Sequence, residues 1–482
     1  DHVVVPPAPL TTGISGLDVI LKGGLPANRM HLVQGGPGAG KTTLGLQFLM
    51  AGRDAGETVL CVALSESTAE LSDIAASHGW SLEDIYIYDE TVNRPNAGEE
   101  NQHTLFYPAE IELNEAWDNL LATIDEIKPT RLVIDSLSEL RLMAGDGLRY
   151  RQFVLALKRH FVERDMTVLF LDECHDEDGD PDIWSVAYGV IGLTRKTPVF
   201  GAETRSLQIH KMRGVNYIGG FHNYVINTGG LVVFPRLTRP DHPSGGSREA
   251  ISTGIPGLDD MLMGGLYRES NTMLIGPSGV GKSTVALACA LAACERGENV
   301  RAYLFDESPA AAFERCNGLG LQYQPHLDSG RLQIHSVDPA ELAPGELVWG
   351  MQHAVTEDNV RAILIDSLGG YLQAIPDETF ALLRLRELLS FLARSGVATF
   401  LVAEHQATVN GGSFIHVSYL ADTVLRFGYY LDGEEQRQAV SVFKKRHGPH
   451  RRTYRELVLD ARGIEVGAGN VTPDRLGPVV PS

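Results

Sequence analysis

The sequence predicts two tandem α/β domains, each built on a mostly parallel central sheet with helices on both faces. Three observations carry this. The chain repeats itself, its short strands are apolar along their whole length and alternate with helical stretches, and each half has a glycine-rich loop between a strand and a helix. The repeat comes first. Residues 12–26 read TGISGLDVILKGGLP and residues 253–267 read TGIPGLDDMLMGGLY, identical at ten of fifteen positions at an offset of 241. The same offset relates GGPGAGKTT (35–43) to GPSGVGKST (276–284) and ALSES (63–67) to LFDES (304–308). Further on the offset contracts, pairing RLVIDSLSEL (131–140) with AILIDSLGGY (362–371) and HKMRG (210–214) with FKKRH (443–447). Five features in one order describe two copies of one domain, read here as residues 1–240 and 241–482. The segment PRLTRPDHPSGGSREA (235–250) concentrates Pro, Gly, Ser and charge without an apolar period, which is linker chemistry.

In the first copy MHLVQG (30–35) is read as a strand entering the glycine-rich loop, and 42–56 as the helix after it. VLCVAL (59–64), RLVID (131–135) and TVLFLD (167–172) read as buried strands, with helices near 67–78 and 150–164. The segments 186–196, 205–214 and 229–235 read as antiparallel additions, and the second copy repeats the plan.

The chain has 482 residues, with 41 Lys and Arg against 61 Asp and Glu, a formal charge of −20. That balance argues against a nucleic-acid binder or a partner of anionic membranes. A content of 43% hydrophobic and 21% charged residues describes an ordinary globular protein. No apolar run reaches the ~18 residues of a membrane span. The opening DHVVVPPAPL lacks a basic start followed by an apolar core, so no secretory leader is expected. The five cysteines, Cys61, Cys174, Cys289, Cys294 and Cys316, form no CxxC pair and fit a reducing, cytoplasmic setting.

Gly35-x-x-x-x-Gly40-Lys41-Thr42 and Gly276-x-x-x-x-Gly281-Lys282-Ser283 have the strand–loop–helix context of a phosphate-binding P-loop. Glycines let backbone N–H groups turn inward around phosphates, and the helix N-terminus favours negative charge. The predicted nucleotide contacts are Gly35, Gly36, Pro37, Gly38, Ala39, Gly40, Lys41, Thr42 and Thr43 in the first copy. Their counterparts are Gly276, Ser278, Gly279, Val280, Gly281, Lys282, Ser283 and Thr284 in the second. Lys41 and Lys282 would face the β- and γ-phosphates of ATP, and the hydroxyls of Thr42 and Ser283 would ligate Mg²⁺. Asp135 and Asp366 end apolar strands and would complete each magnesium site. Glu66 and the pair Asp306–Glu307 follow the next strand, where a carboxylate can deprotonate an attacking group. Asp306 is also a candidate metal ligand. Lys211 and Arg213, with counterparts Lys444 and Arg446, follow a late strand and suit the phosphates of a neighbouring subunit. Glu173 and Glu404 end matching strands and could sense the γ-phosphate. The acidic run DECHDEDGDPD (172–182) lacks EF-hand spacing and reads as a solvated loop.

With these motifs the chain resembles the KaiC family, tandem RecA-like ATPases related to the cyanobacterial circadian clock protein. The resemblance rests on the duplicated TGIxGLDxxLxGGL segment, both P-loops, the acidic DES, the IDSL strand ends and the KMRG segment, and it covers nearly the whole chain. It implies a double-ring homohexamer with ATP between subunits, an ATPase in the first ring, a Ser/Thr autokinase in the second, and regulatory protein partners. Ser77 matches a family nucleotide contact, and Asn227 falls where the family touches the neighbour's nucleotide. Ser65 stands where the family has the first of two glutamates, and Asp306 is one methylene shorter than its counterpart. Gln438 replaces a family Arg. In SFIHVSYLADTVLRF (413–427), Ser418 matches the family phosphoserine, Tyr419 stands at the phosphothreonine, and Ser413 matches a nearby hydroxyl. A two-site Ser/Thr cycle therefore cannot run unchanged. The alternatives left open by the residues alone are a DNA-handling ATPase of RecA type and a nucleotide-binding scaffold with little catalysis.

Overall fold

The computed structural model describes residues 8–89, 108–144, 146–174, 181–197, 203–237, 249–339, 343–373, 375, 378–404 and 418–471. The centre of the linker, Ser413, most of the acidic run and the C-terminal tail from 472 lie outside the described residues. The chain divides into two compact units, Asp1–Arg236 and Leu237–Ser482.

The strands of the first unit are β1 (Met30–Gly35), β2 (Val59–Ala63), β3 (Tyr86–Asp89), β4 (Arg131–Asp135), β5 (Thr167–Glu173), β6 (Gly189–Lys196), β7 (Thr204–Met212), β8 (Phe221–Asn227) and β9 (Gly230–Phe234). A short ribbon, β10 (Ala250–Ile251) with β11 (Leu266–Tyr267), opens the second unit. Its main strands are β12 (Asn271–Gly276), β13 (Asn299–Leu304), β14 (Leu332–Ser336), β15 (Val360–Asp366), β16 (Ala398–Glu404), β17 (Thr423–Asp432), β18 (Glu435–Lys445), β19 (Tyr454–Asp460) and β20 (Gly463–Val471). The first sheet runs β3-β2-β4-β5-β1-β6-β7-β8-β9 and the second β14-β13-β15-β16-β12-β17-β18-β19-β20. Adding eleven to each label of the first order gives the second, so the sequence repeat is a repeat of topology. Each unit is a RecA-like α/β domain.

One expectation needs correction. Residues 186–196 read as an antiparallel addition, yet β6 begins only at Gly189 and lies parallel to β1. The direction reverses one strand later, where β7 pairs antiparallel with β6. An apolar run encodes burial but not the direction of its neighbour, so pattern alone cannot separate the two. The helix Pro181–Val186 supplies the start of that stretch.

Side chains alternate between the two covered faces along each central strand. Val33, Val133 and Leu169 pack with Leu44 and Phe48 of the helix Lys41–Asp54. Leu32, Leu132, Ile134 and Phe170 face the other way, against Val154, Leu157 and Phe161 of the helix Gly147–Val162. Covering both faces is what makes these strands uniformly apolar. The carboxyl ends of β1, β2, β4 and β5 are left as the one polar edge, the usual ligand crevice of such sheets.

His31, inside β1, is fully buried; its Nε2 lies 2.9 Å from the Pro26 carbonyl and its Nδ1 has no partner. Burial lowers its pKa from the ordinary 6.5 to about 4, although the Pro26 bond opposes the shift. Between those values the unfolded chain binds a proton that the native chain does not. Stability should therefore fall as the pH drops from 6.5 towards 4, by up to about 3 kcal/mol from this group. Chemical denaturation of the parent and of His31→Leu across this range checks it. The parent should show the steeper pH dependence, and equal slopes would remove His31 as a source.

Candidate functional site

Both glycine-rich loops lie between a strand and a helix, as the sequence predicts. In the first, β1 runs into the loop and Gly40 caps the helix Lys41–Asp54 at φ 94°; in the second, Gly281 caps Lys282–Glu295 at φ 97°. This left-handed backbone suits glycine. A Cβ at Gly40 would also meet Ile226 Cδ1 at 2.6 Å, and one at Gly281 would meet Leu459 Cδ1 at 2.7 Å. Each loop is braced by a tyrosine that the sequence reading did not single out. Tyr224 donates to the Ala39 carbonyl at 2.6 Å, and Tyr429 donates to the Ser278 carbonyl at 3.2 Å.

The Lys41 ammonium donates to the carbonyls of Gly35 (2.8 Å) and Gly36 (3.0 Å), and Lys282 donates to Pro277 (2.7 Å). Burial lowers the pKa of both lysines. The carboxylates of Glu173, Asp135, Asp172 and Glu66 oppose this at Lys41, and those of Glu404 and Asp366 at Lys282. The sheet register brings these acids in: Glu173 stands beside Gly35, Glu404 beside Gly276, and Asp135 beside Ala63.

Thr42 Oγ1 donates to Asp135 Oδ2 at 2.7 Å. In the second unit the Ser283 hydroxyl sits close enough to Asp366 to favour its ionised form. Burial raises the carboxyls of both aspartates, that of Asp366 to about 6, against the pull of these hydroxyls. A hydroxyl and a carboxylate are the hard oxygen donors that Mg²⁺ takes from a protein when phosphates and water supply the rest. Among the described residues no group of three or more His, Cys, Asp and Glu could hold a metal on its own. A hydroxyl–carboxylate pair of this kind fits a cation shared with phosphate; Thr43 and Thr284, the next residues along each helix, are buried.

The strand-end acids differ between the units. Burial first, then the carboxylates of Asp135 and Glu70, push Glu66 up to about 7, and Lys41 pulls it down. Among the described residues its buried Oε2 has no hydrogen-bond partner. Asp306, in contrast, accepts from the Ser367 hydroxyl, and Glu307 takes Arg315 on both oxygens at 2.6 Å each. Ser367 and Arg315 went unnoticed in the sequence. Ser367 was visible as the residue after the strand-end Asp, but Arg315 carries no local signal.

The basic residues fall away from their own P-loops. Lys211 stands beside Val190 and Val190 beside Leu32, so Lys211 is level with a residue three before Gly35. That is about 10 Å back along the strand. Lys444, Val424 and Met273 repeat the arrangement, with Met273 three before Gly276. Both lysines lie within strands rather than after them. Lys211 donates to the carbonyls of Trp184 and Ala187, and Lys444 to those of Ser418 and Ala421. Arg213 reaches the Ser185 carbonyl at 3.2 Å, and Arg446 the Tyr419 carbonyl at 3.1 Å. Ser418 begins a short 3-10 turn, Ser418–Leu420, and the Tyr419 side chain is exposed. Ser77 ends the helix Thr68–Ser77 and turns its hydroxyl to the Ile74 carbonyl, 2.7 Å away. Asn227 shares that corner, since its carbonyl lies 3.0 Å from His78 Nδ1.

Two RecA-like domains with duplicated P-loops, each facing a buried aspartate and a strand-end acid, define a tandem P-loop ATPase. The family described as "ATPase: KaiC" matches residues 10–238 and 251–470. The chain belongs to the KaiC family. It is 30% identical to the circadian clock protein KaiC2 of Synechocystis sp., over 95% of this chain and 82% of that protein. It is 24% identical to the circadian clock oscillator proteins KaiC of Parasynechococcus marenigrum and Thermostichus vulcanus, over 95% of this chain and 90% and 88% of theirs.

If each lysine faces phosphate, Lys41→Ala and Lys282→Ala should each lower bound ATP from two per chain to one, and the double variant should bind none. Equilibrium dialysis with labelled ATP measures this. Two nucleotides retained by either single variant would contradict the assignment.

Proposed function

We propose that the chain binds and hydrolyses ATP as a double-ring homohexamer, with nucleotide held between neighbouring subunits. Its second domain would transfer a phosphoryl group to Ser418. The protein would act in the cytoplasm as a signalling or circadian-type regulator read by other proteins. The observation that carries this reading is the position of the cations. Lys211, Arg213, Lys444 and Arg446 stand level with the amino-terminal part of β1 and β12, while the P-loops lie at the carboxyl ends. They are useful to nucleotide only if it belongs to another copy. A ring supplies that copy, and ATP bridging two subunits binds the assembled state preferentially and drives assembly. The names of the relatives, clock proteins, support the regulatory role.

In the second domain Ser418 of one subunit would meet the γ-phosphate held by its neighbour. The Ser418 oxygen forms a bond to phosphorus, the bond from phosphorus to the ADP oxygen breaks, and the hydroxyl proton passes to Asp306 or Glu307. Lys282 would hold the β- and γ-phosphates and Lys41 would do the same in the first domain. Mg²⁺, when bound by Ser283, Asp366 and Asp306, or by Thr42 and Asp135, would neutralise phosphate charge. Glu66 would take a proton from water in the first domain. Ser77 and Asn227 would border the nucleotide at the corner they share. Phosphoserine would add about −1.5 to −2 charge beside Lys444 and Arg446, which can retune subunit contacts.

Incubation with Mg·ATP followed by phosphopeptide mapping tests the reading. Phosphate should appear on Ser418, disappear in Ser418→Ala, and be lost in Lys282→Ala. Light scattering on the same samples should give a hexamer. A monomer at micromolar protein with saturating Mg·ATP, or an unmodified Ser418, would contradict it.

A further inference from the structure

The two proposed ATP sites differ in what holds the second strand-end acid. Glu66 and Glu307 occupy the same place in the repeat, at the offset of 241. Glu66 has a buried oxygen, Oε2, with no hydrogen-bond partner among the described residues. Glu307 has both oxygens held by the Arg315 guanidinium at 2.6 Å. Subtracting 241 from 315 gives position 74, which is isoleucine, so the first domain cannot make this clamp. Arg315 lies on the helix Pro309–Gly318, whose N-cap Ser308 follows Glu307 directly, so the helix aims the guanidinium back at the acid. The ion pair is partly sheltered, with side chains 29% and 21% exposed, and two-point guanidinium–carboxylate pairing is the strongest geometry for such a pair. Among the described residues the Arg315 Nε is buried without a hydrogen-bond partner.

We propose that Arg315 is a positioning residue that withdraws Glu307 from proton transfer, so that the second site holds ATP without activating water against it. The inference rests on the proposed two-site ATPase and deepens it. Hydrolysis needs a water oxygen to bond to the γ-phosphorus, the bond to the ADP oxygen to break, and the water proton to reach a carboxylate oxygen. In the first domain Glu66 offers an oxygen without a competing donor. In the second, each Glu307 oxygen already accepts an N–H. Water then has to compete with a charge-assisted bond on either side. ATP is thereby preserved at the site where Asp306, which accepts from the neutral Ser367 hydroxyl, remains to take the proton of a hydroxyl nucleophile.

The test uses the full chain carrying Lys41→Ala, so that only the second site turns over ATP. Arg315→Ile, which copies the first domain, and Arg315→Met each free Glu307. Both should raise kcat for hydrolysis on the order of tenfold with KM unchanged, because a general base contributes to the chemical step rather than to binding. Arg315→Lys, which keeps a cation at the position, should stay at the parental rate. Arg315→Ile combined with Glu307→Gln should lose the gain. An increase that persists in that double variant, or a parental kcat in both Arg315→Ile and Arg315→Met while one ATP per chain stays bound, would overturn the clamp alone. Absence of bound ATP in the Lys41→Ala chain itself would overturn the two-site reading and the clamp with it.

Discussion

The pairing of the first-turn hydroxyl of the P-loop helix with the buried strand-end aspartate organises both domains. Thr42 donates to Asp135, tying the helix after β1 to β4 across the intervening β5, and Ser283 is set against Asp366 in the same way across β16. A carboxylate this deeply buried needs a donor, since an unsatisfied one costs about 1–3 kcal/mol or more. That requirement fixes the helix register against the sheet, which fixes where the loop N–H groups and the lysine lie. Everything that follows at the site, from the bracing by Tyr224 and Tyr429 to the acids around Lys41, is arranged relative to that pairing.

Duplication then gave two copies of one frame, and the side chains around it diverged. The first domain has one acid here, with Ser65 where the second has Asp306, and its glutamate sits in an environment that raises its pKa to about 7. The second kept both acids and engaged each, one with a hydroxyl and one with a guanidinium. The frame tolerates this because the strand-end acids lie past β2 and β13, outside the cores that hold the sheets together. A general base near neutrality and a neutralised carboxylate are different chemical tools built on one topology.

Much of this was legible in the sequence because its signals are local. A P-loop is eight consecutive residues, the aspartates follow uninterrupted apolar strands, and Glu66 and Glu307 follow the next strand. The repeat converted each weak signal into a paired one. Features set by pairing across the fold were not legible. The parallel direction of β6, the seating of Lys211 and Lys444 within strands, and the carbonyls they bind depend on neighbours distant in sequence. Arg315 reads as an ordinary surface cation on an Ala-rich helix, and only the fold brings it back onto Glu307.

The central claim is that one repeated fold carries two differently prepared ATP sites. It is tested most directly by the pH dependence of ATP turnover in chains with one site left. With only the first site, in Lys282→Ala, turnover should rise with pH as Glu66 ionises, with a midpoint within about a unit of 7, and Glu66→Gln should abolish it. With only the second site, in Lys41→Ala, hydrolysis should be slower. Equal rates at the two sites, or a first-site profile unchanged by Glu66→Gln, would contradict the account.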